Sequence, residues 1–201
     1  MKNLIVGLTG GIACGKTTVA RIFQNFGADV INTDNMGHRL LESDPSIRNK
    51  IVAAFGRRVL KDEKEIDRPM LSGIVFDNPN YMRALNGIIH PPLLELIESE
   101  IKRRKSTSED KIIIVDAPLL MELDMADAMD SVVAVYADED VQIHRLAKRG
   151  LSKQDALKRI RAQMSASEKA RRANFVIDTN DSLSDTAQQA RRVWEDLTGM
   201  M

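Results

Sequence analysis

The stretch from Gly10 to Thr18 reads GGIACGKTT, and its first eight residues fit G-x-x-x-x-G-K-[ST] in full. An apolar run, Leu4–Leu8, precedes it and a helical pattern follows, the context in which such a loop wraps a phosphate. Glycine takes the required backbone dihedrals at low cost, so amide N–H groups can turn inward around an anion. A helix starting near Lys16 adds the positive end of its dipole. Lys16 is expected to reach the β- and γ-phosphates of a nucleoside triphosphate, and Thr17 to place its hydroxyl on Mg²⁺. Gly10, Gly11, Ile12, Ala13, Cys14, Gly15, Lys16, Thr17 and Thr18 form the expected cradle.

Other side chains have types and positions suited to phosphoryl transfer. Asp34 lies just past the second apolar run, at the strand edge where an open parallel sheet meets its ligand, and that strand is expected next to the phosphate-loop strand. A carboxylate there can accept a hydroxyl proton and aim the oxygen at phosphorus. It can equally cap the helix that follows, and position alone leaves both readings open. Asp116 ends the third apolar run, as a holder of metal-bound water or as a turn residue before Pro118. Arg145 and Arg149, four apart, share one helix face, where they either offset phosphoryl charge or are simply solvated. His90, before two prolines, is either an acceptor contact or a histidine at a helix kink. Cys14 carries two readings as well: a reactive thiol lowered in pKa by the helix start, or packing against the sheet.

These residues need a scaffold. Leu4–Leu8, Ala28–Ile31, Ile112–Val115, Val132–Tyr136 and Phe175–Ile177 are short apolar runs without strict alternation, as strands covered on both faces read. Helical patterns separate them, which predicts an α/β fold with a five-stranded parallel sheet. Helices are expected over Lys16–Phe26, with Gly27 ending it, over Asn35–Leu41, from Asp138 to Arg149-Gly150, from Ser152 with Asp155 three residues on, and over Leu183–Leu197. From Ser43 to Ser108 no strand is apparent. Helical patterns there break at Asp44-Pro45, Arg68-Pro69, Asn78-Pro79 and His90-Pro91-Pro92, and Ser106–Asp110 reads as an exposed turn. The expected organisation is a nucleotide-binding core (1–42, 109–137, 174–201), a helical acceptor insertion (43–108) and lid helices (138–173). Met70, Leu71, Ile74, Leu85, Ile88 and Ile89 are expected to form the insertion's core.

The 201 residues suffice for one sizeable domain, and 43% hydrophobic with 29% charged residues is an ordinary globular balance. Twenty-nine basic residues meet 29 acidic ones, which argues against a general nucleic-acid binder. A single cysteine leaves no internal disulfide, and no run approaches a membrane span, so a cytoplasmic setting is expected, with no membrane, nucleic-acid or obligate protein partner. The guanine-reading N-K-x-D is absent, Asn180-Asp181 lacking its lysine, which argues against a GTPase switch. The length and the helical insertion favour a small-molecule kinase over a motor or remodelling ATPase. Another small alcohol or a nucleoside monophosphate as acceptor, or a nucleotide-dependent switch, are the competing readings.

Along nearly its whole length, Gly7 to about Asp181, the chain resembles the dephospho-CoA kinase family. The residues that carry this are Leu8–Ile12 with Gly15-Lys16-Thr17, Val30–Asp34 with Arg39, and Arg68–Leu71 leading to Val75-Phe76. They continue through Leu85–Pro91, Asp116–Glu122, Gln142–Leu146 with Arg149, Gln163 and Val176–Asp178. L-N-x-I-x-H-P together with P-L-L-x-E is far more specific than the phosphate loop. Departures are Ala13-Cys14 for Gly-Ser, Thr17 for Ser, Asn32 for aspartate, and Thr179 inserted between Asp178 and Asn180. The resemblance implies a P-loop NTPase fold with a helical lid and transfer of the γ-phosphoryl of ATP to the 3′-hydroxyl of dephospho-CoA with Mg²⁺. It further implies Asp34, Lys16 and Arg145 as catalytic, Arg145 and Arg149 beside ATP, Asp34, Arg39, His90 and Leu119 as acceptor contacts, and Thr17 and Asp116 toward the metal.

Overall fold

Five of the apolar runs become the parallel strands of one sheet. The computed structural model describes residues 3–62, 64–76, 78–106 and 110–201. The sheet comprises β1 (Leu4–Gly10), β2 (Asp29–Asn32), β5 (Ile112–Asp116), β6 (Ser131–Tyr136) and β7 (Phe175–Asp178), while β3 (Leu60–Asp62) and β4 (Glu65–Ile66) form a separate antiparallel pair. The sheet order is β2-β5-β1-β6-β7. The strand before Asp34 is therefore not beside the phosphate-loop strand as the sequence reading has it, because β5 lies between. Burial explains the order. β5 and β1 are buried at every position, as central strands covered on both faces must be, whereas β2 and β7 are partly exposed edges. Register then brings Leu8 and Asn32 opposite Asp116, and Gly10 opposite Val135.

By internal packing the chain divides into residues 1–32 with 101–201, and residues 33–100. In the first unit, α1 (Lys16–Asn25) and α9 (Leu183–Gly199) pack together through Phe23, Phe26 and Trp194, whose ring centroids are 6.0 and 5.8 Å apart. Leu4, Val6, Leu8, Val133, Val135 and Ile177 supply the sheet side of that core. α1 ends where Gly27, at φ 105°, takes the left-handed turn expected of it. α9 opens on a capping box between Ser182 and Asp185. α6 (Glu139–Ala147) and α7 (Lys153–Arg161) pair through Leu146, Ala156 and Ile160, and α8 (Ala166–Arg172) packs on β1 and β6.

The second unit holds α2 (Thr33–Ser43), α3 (Pro45–Phe55), the β3–β4 pair, α4 (Arg68–Phe76) and most of α5 (Pro79–Lys105). Ile47, Ile51, Phe55, Val59, Ile66, Leu71 and Val75 form its core, against which Ile74, Leu85 and Ile88 pack in part. Met70, expected in that core, is 48% exposed. Asp44 caps α3, accepting from the amides of Ser46 and Ile47, with Pro45 in the first turn. The β3–β4 pair escapes the sequence reading because Lys61, Asp62, Lys64 and Glu65 leave no apolar run to notice. The break expected at His90-Pro91-Pro92 is absent, and α5 runs through both prolines. Of the two carbonyls this frees, that of Gly87 belongs to an exposed residue in open surroundings, where water can serve it. Residues 107–109 of the expected turn lie outside the described residues.

A Cβ on Gly10 would stand 2.6 Å from the Val135 backbone carbonyl oxygen, so β1 and β6 approach this closely only around a glycine. Gly10→Ala is expected to cost roughly 1–3 kcal/mol, lowering Tm by several degrees in a thermal melt. Gly87→Ala, in open helix, should instead gain up to about 1 kcal/mol.

Candidate active site

The phosphate loop joins β1 to α1 with two left-handed residues, Ala13 (φ 60°) and Gly15 (φ 86°). No side chain caps α1, so a bound anion would be what satisfies the amides of Lys16 and Thr17. The loop carbonyls, by contrast, are occupied. Gly11 C=O accepts from Cys14 N at 3.2 Å, and Gly15 C=O from Thr18 N at 2.9 Å. Ala13 C=O accepts from Arg145 Nη1 at 3.1 Å, and Cys14 C=O from the Thr179 hydroxyl at 2.8 Å.

Beyond the loop, Lys16 Nζ pairs with Asp116 Oδ1, and Asn32 Nδ2 donates to Asp116 Oδ2 at 3.0 Å. The Asp116 carboxylate is 2% exposed, whereas Thr17 and Thr18 are exposed at the head of α1. The register of β2, β5 and β1 thus gathers a cation, a carboxylate and a carboxamide at one end of the sheet, where ligands of open parallel sheets bind. Among the described residues no group of three or more His, Cys, Asp or Glu could hold a metal by itself. A hydroxyl and one carboxylate do fit Mg²⁺, which keeps waters and takes the rest of its shell from phosphates.

Arg145 and Arg149 line a cavity of about 260 Å³ together with Ala13, Gly15, Thr18 and Thr179. Arg145 is anchored there. Besides Ala13 C=O, its guanidinium donates to the Thr179 hydroxyl at 3.0 Å and to the Thr179 carbonyl at 2.5 Å. Ile12 and Ala13 also touch the α6–α7 core, so the expected lid helices pack directly on the loop. Ser152 accepts from Asp155 N at 3.1 Å, the cap expected for α7.

Asp34, Arg39 and His90 belong to the second unit. Asp34 is exposed in the first turn of α2, which starts at Thr33, so it is not the cap but a carboxylate at the positive helix end. Arg39 is exposed, and His90 is half-buried inside α5, its imidazole pushed down in pKa by burial. Leu119 is partly buried in the segment after β5.

Two residues of the first unit were not singled out by sequence reasoning. Thr179, visible beforehand only as a spacing departure, is buried and ties β7 to the loop through Cys14 and Arg145. Lys169, lost among the basic residues of α8, is wholly buried beside the segment after Asp116. Cys14 is also 0% exposed, and burial pushes its thiol pKa up. Of its two readings, packing holds and the activated thiol does not, because loss of water outweighs the nearby amides and cations.

Residues 4–185 match the family model described as dephospho-CoA kinase. The dephospho-CoA kinase of Carboxydothermus hydrogenoformans is 41% identical over 186 residues, covering 92% of this chain and 90% of that protein. Among solved structures, the dephospho-CoA kinase of Campylobacter jejuni superposes with a TM-score of 0.72 at 29% identity, covering 98% of each chain. A Thermus thermophilus protein, TT1252, superposes with a TM-score of 0.79 at 29% identity over 98% of this chain and 99% of that one.

With its thiol buried and raised in pKa, Cys14 should react with a soluble thiol reagent at neutral pH only after denaturant is added. Rapid labelling of the native protein, slowed by ATP, would contradict the packing.

Proposed function

The chain belongs to the dephospho-CoA kinase family and phosphorylates dephospho-CoA with ATP, and we propose that the residues described above carry that transfer in the following roles. The observation that supports them is the Lys16–Asp116 pair beside an uncapped helix start. An ammonium held over an anion cradle, against a buried carboxylate, is what a triphosphate with its cation would engage.

The loop amides between Gly11 and Thr18, other than those of Cys14 and Thr18 that donate within the loop, hold the β- and γ-phosphates, and Lys16 moves from Asp116 onto the γ-phosphoryl oxygens. Thr17 and Asp116 would hold Mg²⁺, which would supply neutralisation of phosphate charge. Arg145 keeps the cradle in shape from its anchored position, and with Arg149 flanks the nucleotide in the 260 Å³ cavity. Asp34 orients the acceptor's 3′-hydroxyl and accepts its proton as the oxygen bonds to the γ-phosphorus and ADP leaves. Arg39, His90 and Leu119 contact the acceptor. The nucleotide-binding core, the helical acceptor insertion and the lid helices divide this work between them. A reducing cytoplasm is the proposed setting. Among the described residues no helix is long and apolar enough to cross a membrane.

Incubation with ATP, Mg²⁺ and dephospho-CoA should yield CoA and ADP, and absence of CoA would reject the acceptor. Asp34→Asn should keep nucleotide affinity and lower kcat about 10²–10⁴-fold, and a near-normal kcat would end its role as base. Lys16→Ala should raise KM for ATP and lower kcat together. An unchanged KM would contradict its contact with the triphosphate.

A further inference from the structure

We propose that Lys169 is a positioning residue for phosphoryl transfer: from α8 it fixes the segment that follows Asp116 and so sets the carboxylate against Lys16. This rests on the role given above to Asp116. Lys169 is 0% exposed, yet its Nζ donates to the Pro118 carbonyl and pairs with Glu122 Oε1 at 2.9 Å. The same Pro118 carbonyl accepts from the buried Thr9 hydroxyl of β1 at 3.2 Å. Glu122 Oε1 also accepts from Met164 N at 2.9 Å, in the link between α7 and α8. Two residues after the metal-competent carboxylate, the backbone is thus held from both sides, by a hydroxyl on the phosphate-loop strand and by an ammonium on α8.

Stability does not account for this arrangement. The buried ammonium loses hydration that its attraction to Glu122, a carboxylate still 22% exposed, barely restores, and apolar residues of similar volume often serve the fold as well or better. Glu122 Oε2 is buried without a hydrogen-bond partner among the described residues, so the pair is not even fully satisfied. Burial pulls the Lys169 pKa down and Glu122 opposes that, with Lys16 close enough to be felt as a like charge. The ammonium's contacts are with Pro118 and Glu122, in the segment after Asp116. What it supplies is a direction. A donor aimed at one carbonyl keeps the turn after β5 from relaxing, and the orientation of Asp116 depends on that turn. Residues supporting metal and phosphate ligands in this indirect way are commonly worth about 10–100-fold in activity.

The test uses Lys169→Met combined with Glu122→Gln, so that no charge is left buried alone. Thr9→Val, which removes the second donor to Pro118 while keeping the volume, is measured alongside. The double variant should lose kcat about 10–100-fold and Thr9→Val a lesser factor, while ADP affinity by calorimetry and KM for ATP stay near the parent values. Lys169→Arg, which keeps a donor, should recover part of the loss. The proposal is overturned if a folded double variant turns over within twofold of the parent. It is overturned equally if ADP affinity falls in step with kcat in either variant, since that marks general loosening of the loop. Asp116→Asn separates the two levels: full activity there removes the role of Asp116 itself, whatever Lys169 does.

Discussion

Anion binding by main chain carries a constraint of its own. Amides can serve a ligand only if no carbonyl of the same loop claims them; here Gly11 and Gly15 take donors from within the loop, while Ala13 and Cys14 are met from elsewhere. That requirement organises the first unit. Arg145 reaches in from α6 to Ala13, and Thr179 reaches from the end of β7 to Cys14. Gly10 lets β6 come close enough for the helices after it to meet the loop at all. The cradle is a product of three strands and two helices, not of eight residues.

The same economy governs the charged groups. Asp116 belongs to a fully buried strand, where a carboxylate is tolerated because a lysine and an asparagine face it from either side. Placing β5 between β1 and β2 makes this possible, since register aligns Leu8 and Asn32 with Asp116. A lysine that pairs with Asp116 is held at the same end of the sheet as the phosphate loop.

The sheet and the phosphate loop were legible because both rest on local patterns: apolar runs without alternation, and glycines with a lysine at fixed spacing. The order of the strands was not, because nothing local distinguishes the neighbour of β1 from the edge; uniform burial of β5 decides that. The proline pair in α5 misled for the opposite reason, a strong local signal overridden where solvent can replace the lost donors. Thr179 and Lys169 act through long-range contacts, across 165 and 51 residues of chain, and sequence spacing carries no trace of such pairings. Sequence position left Cys14 between activation and packing against the sheet, and only its burial in the folded chain decides for packing.

That buried thiol has a bearing on an enzyme whose product itself ends in a thiol. Disulfide exchange needs an accessible thiolate to attack the disulfide, and burial withholds both access and ionisation. Oxidised CoA accumulating around the protein finds no sulfur to couple with in the folded chain, since Cys14 is its single cysteine. The phosphate loop thereby offers oxidised CoA no thiolate for mixed-disulfide capping.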